Sequence, residues 1–326
     1  MKRRRQRGAV AVMTSVSLIA IFAFTAISVD LGNAWQNKRE LVNASDAAAL
    51  AAAQEYAVLG NGCSSVASLF VTSNKDDAAL TECTPSEGAV NGDTSGHVLV
   101  TAESTVDYAF APVIGVDSSD IESTTVARYG IPKTARGLRP FGLCSDTLFA
   151  MTEWQTWNRA AGPSAPATIA YEKDSNPNAC NSGDPVPGNW ATMDFDLGGN
   201  SNADIQNWTM NGYPDLVSPS MIPGDTGAFS PSLSVELLSL ETNKTIFPIP
   251  IFRSATDVGS NAQFEIIGFI AVRIINFNTS GSQAQRSLTL EFHGAVIEGE
   301  CCDAGGVDTG VRVVQICAVQ KDDLSA

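Results

Sequence analysis

Residues 8–29 read GAVAVMTSVSLIAIFAFTAISV, 22 consecutive positions without a charge. As a helix rising ~1.5 Å per residue, this run is about 33 Å long, enough to cross a hydrocarbon layer of ~30 Å. A helix also satisfies its own backbone hydrogen bonds, which lipid demands. On its amino side stand Lys2, Arg3, Arg4, Arg5 and Arg7, and no acidic residue occurs before Asp30. Lys and Arg accumulate on the cytoplasmic flank of a membrane span. The pattern therefore predicts a single-pass plasma membrane protein: a basic cytoplasmic tail over 1–7, a transmembrane helix over 8–29, and an extracytoplasmic body beyond. A cleaved signal peptide is the competing reading, with Ala26-Ile27-Ser28 as its small-x-small site. Such a peptide needs an apolar run of only ~7–15 residues, so the length favours a retained anchor.

Working outward, residues 31–59 contain no proline and only one glycine, Gly32, with Ala47-Ala48-Ala49 and Ala51-Ala52-Ala53 forming a dense alanine block. Alanine is the strongest helix former, so the helix is predicted to continue outside the membrane over 30–59, until Gly60-Asn61-Gly62 ends it. Ala34, Leu41 and Ala48 recur every seven residues with Asn37, Ala44 and Ala51 between them. This makes a narrow seam of mostly small side chains, suited either to another helix or to folding back on the chain's own domain.

Three stretches in this region carry a family resemblance: Arg7-Gly8-Ala9-Val10-Ala11-Val12, Ser28-Val29-Asp30-Leu31-Gly32, and Leu41-Val42-Asn43-Ala44-Ser45-Asp46-Ala47-Ala48-Ala49-Leu50-Ala51. In this order and spacing they resemble the N-terminal region of TadE/TadG-like proteins of the bacterial tight-adherence (Flp) pilus assembly system, over about residues 5–55. A looser similarity runs through 98–128. The resemblance implies an envelope protein that helps to build or anchor a surface pilus. Pilin-like members processed by prepilin peptidase carry Glu five residues after the glycine, where this chain has Met13. That departure favours a membrane-resident assembly component over a polymerising subunit.

The rest of the chain is acidic. Once the five basic residues of the tail are set aside, 15 basic stand against 35 acidic residues, a balance that repels phosphate backbones and argues against nucleic-acid binding. With 44% hydrophobic residues overall, the chain has ample material for a core. Its expected architecture is α+β. A small α+β unit over 60–130 has strands at 97–102, 105–110 and 121–129, and a linker over 131–140 carries Pro132, Gly137 and Pro140. A mostly β domain over 141–326 has strands at 168–172, 190–197, 233–241, 264–277, 287–298 and 311–319. Residues 246–252 read IFPIPIF; the two prolines confine this run to a sheet edge or an extended wall. A short helix is predicted over 204–211, with Trp208 on the core.

Seven cysteines in an exported chain predict disulfides. Spacing suggests Cys63 with Cys83, Cys144 with Cys180, and Cys317 with Cys301 or Cys302. Chemistry is otherwise sparse: His97 and His293 are the only histidines, and His293 alternates with Leu288, Leu290 and Phe292 so as to face solvent with Thr289 and Glu291. No nucleophile elbow, phosphate loop or zinc-protease motif occurs. Asp194, Asp196, Asn200, Asn202 and Asp204 form an oxygen-rich cluster that imperfectly matches Ca²⁺ spacing. The reading is therefore a non-enzyme with no catalytic, cofactor or metal residues, acting by helix packing and surface contacts. Its partners are the lipid bilayer and other pilus-assembly or envelope proteins. The alternative is a membrane-tethered adhesin or ligand-binding module.

Overall fold

The computed structural model describes residues 3–60, 62–88, 95–171, 180, 190–197, 202–224, 229–256, 262–282, 285–301 and 306–317. One helix, α1 (Arg3–Leu59, 57 residues), joins the apolar run to the alanine block without interruption. It stops at Gly60, whose φ of 67° is left-handed and whose N–H closes on the Tyr56 carbonyl at 2.9 Å.

The carboxyl half of α1 lies on an antiparallel sheet. Strands β1 (Ala79–Gly88), β2 (Ser95–Asp107) and β3 (Ser118–Gly130) form a meander. Alternation along β2 buries Val98, Val100, Ala102, Ser104 and Val106, and the first three pack with Leu41, Ala48, Ala49, Ala52 and Ala53 of α1. The small helix side chains let the two backbones approach closely, so the alanine block acts as the helical half of a core. Helix α2 (Ser64–Asn74) adds Ala67 and Val71 to the same cluster. Residues 60–91, rich in Ser, Thr, Gly and Asp, gave no sequence signal for α2 or β1. The two strands expected at 97–102 and 105–110 are one, β2, and Phe110 lies in the turn after it.

The second sheet runs in the order β5 (Ala167–Ala170), β10 (Ser287–His293), β9 (Gln263–Asn278), β8 (Ile246–Thr256), β4 (Phe141–Cys144) and β6 (Trp190–Thr192), with β7 (Met221–Pro223) also beside β9. Among the described strands of this sheet, only β4 and β8 pair in parallel. One face buries Ile249, Ile251, Ile270, Val272, Leu290 and Phe292 under short helices, and the other buries Phe252, Phe264 and Phe269 against Trp208 and Leu138. The proline-bearing strand β8 pairs with β9 along its length, while β4 reaches only Ile251 and Phe252 on the other side. The Pro248 carbonyl accepts the Arg139 N–H at 3.0 Å. Because N and O of one residue point the same way in a strand, the missing Pro248 N–H falls on this locally open edge and costs the β9 ladder nothing.

Two expectations fail here. Residues 233–241, read as a strand, form helix α6 (Ser234–Thr242). Leu233, Leu237 and Leu240 are buried at helical spacing while Val235 and Leu238 are exposed, so the true period is 3.6 and not 2. Strand β12 (Val311–Cys317), expected in the second sheet, pairs with β3 of the first, and β11 (Ala295–Val296) lies parallel beside it. The 131–140 connection is itself packed: Ala135 and Leu138 are fully buried, and Lys133 and Arg136 donate backbone N–H bonds to Glu300 and Glu298. Gly299 fits there because a Cβ would collide with the Thr134 carbonyl.

The tight fit of α1 on its sheet sets a first prediction. Ala48→Leu overfills a site with no free surface and should destabilise the body by about 1–3 kcal/mol. Val16→Leu, on the exposed part of the same helix, should change nothing. Thermal unfolding of the full chain in detergent checks both.

Candidate functional site

Along α1 the surroundings change at Asp30. From Val10 to Val29 the side chains are exposed almost without exception, and this is the one described helix long and apolar enough to cross a membrane. Asp30, the first charged residue after that span, is only 7% exposed. Its carboxylate accepts the backbone N–H of Ala109 at 2.8 Å, of Phe110 at 3.1 Å and of Ala111 at 2.7 Å.

These amides belong to the turn joining β2 to β3. Pro112 fixes φ near the start of a single 3₁₀ turn over Ala111–Ile114, and Gly115, at φ 86°, reverses the chain. The converging N–H groups meet an anion where their dipoles favour one. Asn33 Nδ2 adds a bond to the Asp107 carbonyl at 3.2 Å. The result is an apolar loop clamped beside the helix, with Val113 89% and Ile114 79% exposed. Between loop and helix runs an apolar groove of about 800 Å³, walled by Phe22, Ala26 and Ile27 on one side and Phe110, Val113 and Ile114 on the other.

Beyond Asp30 the seam is occupied by the chain's own sheet. Leu41, Ala44 and Ala48 are fully buried, whereas Ala34 and Ala51 are half-buried, and Ala34 lines the groove. Ser45 Oγ lies 2.9 Å from both Ser123 Oγ and Thr125 Oγ1, and Thr125 donates to Asp46 at 2.7 Å. Buried Lys75 spans the elements, donating to Asn37 Oδ1 at 2.9 Å and pairing with Asp77 at 2.6 Å. Its hydrogen bond holds the Asp77 carboxyl below the usual range. Side chains of the topology residues Lys2, Arg3, Arg4, Arg5 and Arg7 lie outside the described residues.

Residues 8–55 match the family of putative Flp pilus-assembly TadE/G-like proteins. No curated protein and no solved structure matches the chain. The TadE/G-like segment thus comprises the exposed span, Asp30 and the whole seam. The clamped loop and both sheets lie beyond it.

Away from the TadE/G-like segment, Cys63 is bonded to Cys83 and Cys144 to Cys180. Cys301 is disulfide-bonded too, while the side chains of Cys302 and Cys317 fall outside the described residues. Cys144, Asp146 and Cys180 stand at metal-ligand distances, but both sulfurs are used in the disulfide and the Asp146 carboxylate accepts the Cys180 N–H at 2.9 Å. Of the oxygen-rich cluster, Asp194 is buried and accepts the Leu197 N–H at 3.1 Å, Asp196 is exposed, and Asn202 and Asp204 open helix α5 (Asn202–Asn211). Asn200 lies outside the described residues.

His293 does not face solvent. At 9% exposure it is buried, because β10 is covered on both faces near its end. Its Nε2 lies 3.6 Å from Glu291, which Arg273 holds at 2.5 Å. Burial and the Arg273 charge lower its pKa, with Glu291 opposing. His97, on β2, is likewise lowered by burial and by Arg128. A second charged cluster escaped sequence reading because its members are far apart in the chain. Arg159 stacks on Trp154 and Trp157 and pairs with Asp308 at 3.0 Å, while Arg312 reaches Asp308 at 2.8 Å. Burial pushes the Asp308 carboxyl up, but the Arg312 hydrogen bond and charge, the Gly310 N–H and Arg159 outweigh it and hold the group at about 2.

Two measurements test these arrangements. Asp30→Ala leaves the Ala109, Phe110 and Ala111 amides without their acceptor, a cost of about 1–3 kcal/mol; hydrogen exchange at those amides should accelerate while that of β9 stays unchanged. Since the folded Asp308 pKa lies below its usual value of 3.8, its contribution is complete above about pH 4 and is lost as pH falls toward 2. That contribution is about 2 kcal/mol at most. Asp308→Asn should flatten the stability profile across that window.

Proposed function

We propose that the protein is a non-enzymatic, single-pass component of Flp (tight-adherence) pilus assembly, anchored by the amino half of α1. Its basic residues lie on the cytoplasmic side and its acidic body outside. The observation that carries this reading is the coincidence of the TadE/G-like match with a continuous helix whose first half is apolar and bare. A soluble protein does not leave some twenty consecutive apolar positions exposed on every side of a helix. Clustered arginines before the span favour this orientation. The disulfides favour it independently, since such bonds persist in oxidising compartments.

The mode of action follows from what is left uncovered. With Leu41, Ala44 and Ala48 engaged inside the chain, partner proteins would meet the exposed span and the outer surface of the body. A structural role of this kind needs no reactive group.

Fractionation of a bacterium producing the full chain tests the proposal. The chain should stay in the membrane pellet after alkaline carbonate extraction, and added protease should digest the body only once the outer barrier is opened. Deleting the gene should abolish Flp-type pili, and a copy lacking residues 8–29 should fail to restore them. A body found in the cytosol with reduced thiols would refute the reading.

A further inference from the structure

The turn between β2 and β3 is built in a way that an anchor alone does not explain. Its tip, Phe110-Ala111-Pro112-Val113-Ile114-Gly115-Val116, carries no charge, and Asp107 and Asp117 bracket it. In an ordinary hairpin such a tip would be polar, since loops run through water. Here Val113 and Ile114 are the most exposed large apolar side chains of the body.

The position of the tip is equally informative. The groove it forms with α1 extends from Ala34 down to Phe22, eight positions before Asp30. At ~1.5 Å per residue the groove beside the loop therefore extends about 12 Å below the first charge, along the apolar span. Trp35 is exposed on α1 just past Asp30, where Arg39 stacks on its ring. Aromatic side chains of this kind gather at the interface between lipid and water.

Most of the tip's backbone N–H groups meet the condition for entering hydrocarbon, that polar groups be satisfied internally. Tyr108 donates to the Asp117 carbonyl, Val113 to Phe110, Gly115 to Pro112 and Val116 to Ala111, all at 2.9–3.2 Å. The amides of Ala109, Phe110 and Ala111 go to Asp30, and Pro112 has none to place.

We propose that the Phe110–Val116 tip dips into the outer leaflet beside the anchor helix, with lipid acyl chains filling the groove between them. The body then holds the membrane at two points, so that its tilt relative to the bilayer is fixed. This inference rests on the reading of α1 as a membrane anchor.

The test uses the full chain in its native membrane, with the photoreactive residue p-benzoylphenylalanine placed singly at Phe22, Ile114 or Val235. All three side chains are exposed, so the fold tolerates the exchange. Position 22 reports the anchor, 114 the tip, and 235, on α6, sets the background. After irradiation, mass spectrometry should find lipid adducts at 22 and 114 well above those at 235. Lipid at 22 with none above background at 114 would overturn the inserted tip and leave the anchor standing. A protein adduct at 114 in place of lipid would also overturn it, because the groove would then hold a partner helix. Absence of lipid at both 22 and 114 would remove the anchor, and the inserted tip with it.

Discussion

One helix must satisfy two different surroundings, and the change occurs at Asp30. On its amino side α1 is exposed on every face except the flank beside the clamped loop; on its carboxyl side it offers one face of small residues to a sheet. No break in the backbone marks the transition, so the side chains alone make it. A carboxylate at that point would ordinarily be an expense, being buried without a cation. The turn from β2 to β3 supplies three backbone amides instead, and the body is thereby tied to the helix at the position where its environment changes.

That tie explains the length of the hairpin. The β2 and β3 strands pair from Gly96 with Tyr129 to Asp107 with Ser118, well beyond the helical core they help to bury. The end nearer Gly130 packs on the alanine block, with the Tyr129 ring against Tyr56, and the far end carries the loop to Asp30. Strand β12 then pairs with β3 from Val126 to Gly130, so the last described segment of the chain braces the sheet against which the helix lies. The second sheet is linked to the same assembly through the packed 131–140 connection and through residues 295–301, which hydrogen-bond to it.

The sequence made α1 and its end at Gly60 legible because composition and length decide a long apolar or alanine-rich helix with little tertiary help. The central strand β9 was legible for a similar reason, as a long β-branched and aromatic run. Helix α6 was not: over nine residues, Leu at positions 233, 237 and 240 mingles with Val235 and Leu238, and either period fits so short a window. The partner of β12 was invisible because pairing between distant strands leaves no local mark. Of the candidate site, the apolar span and the small seam could be read, but not what the seam packs against. Asp30 appeared only as the end of an uncharged run, and its partners lie some eighty positions away.

The seam bears on how such a helix can work. A small-residue face can bring either a neighbouring helix or the chain's own sheet into close contact, but one face cannot hold both. Here Ser45 and Asp46 form a hydrogen-bonded row with Ser123 and Thr125, and opening that face to a partner would strand those polar groups as well as empty the core. Packing on the sheet is therefore the state that the polar groups specify. Helix-to-helix contact is left to the span before Asp30, where among the described residues nothing competes for the surface except the clamped loop on one side. The loop thus divides the span into a covered flank and free ones, and any neighbour approaching the span must come from the free flanks.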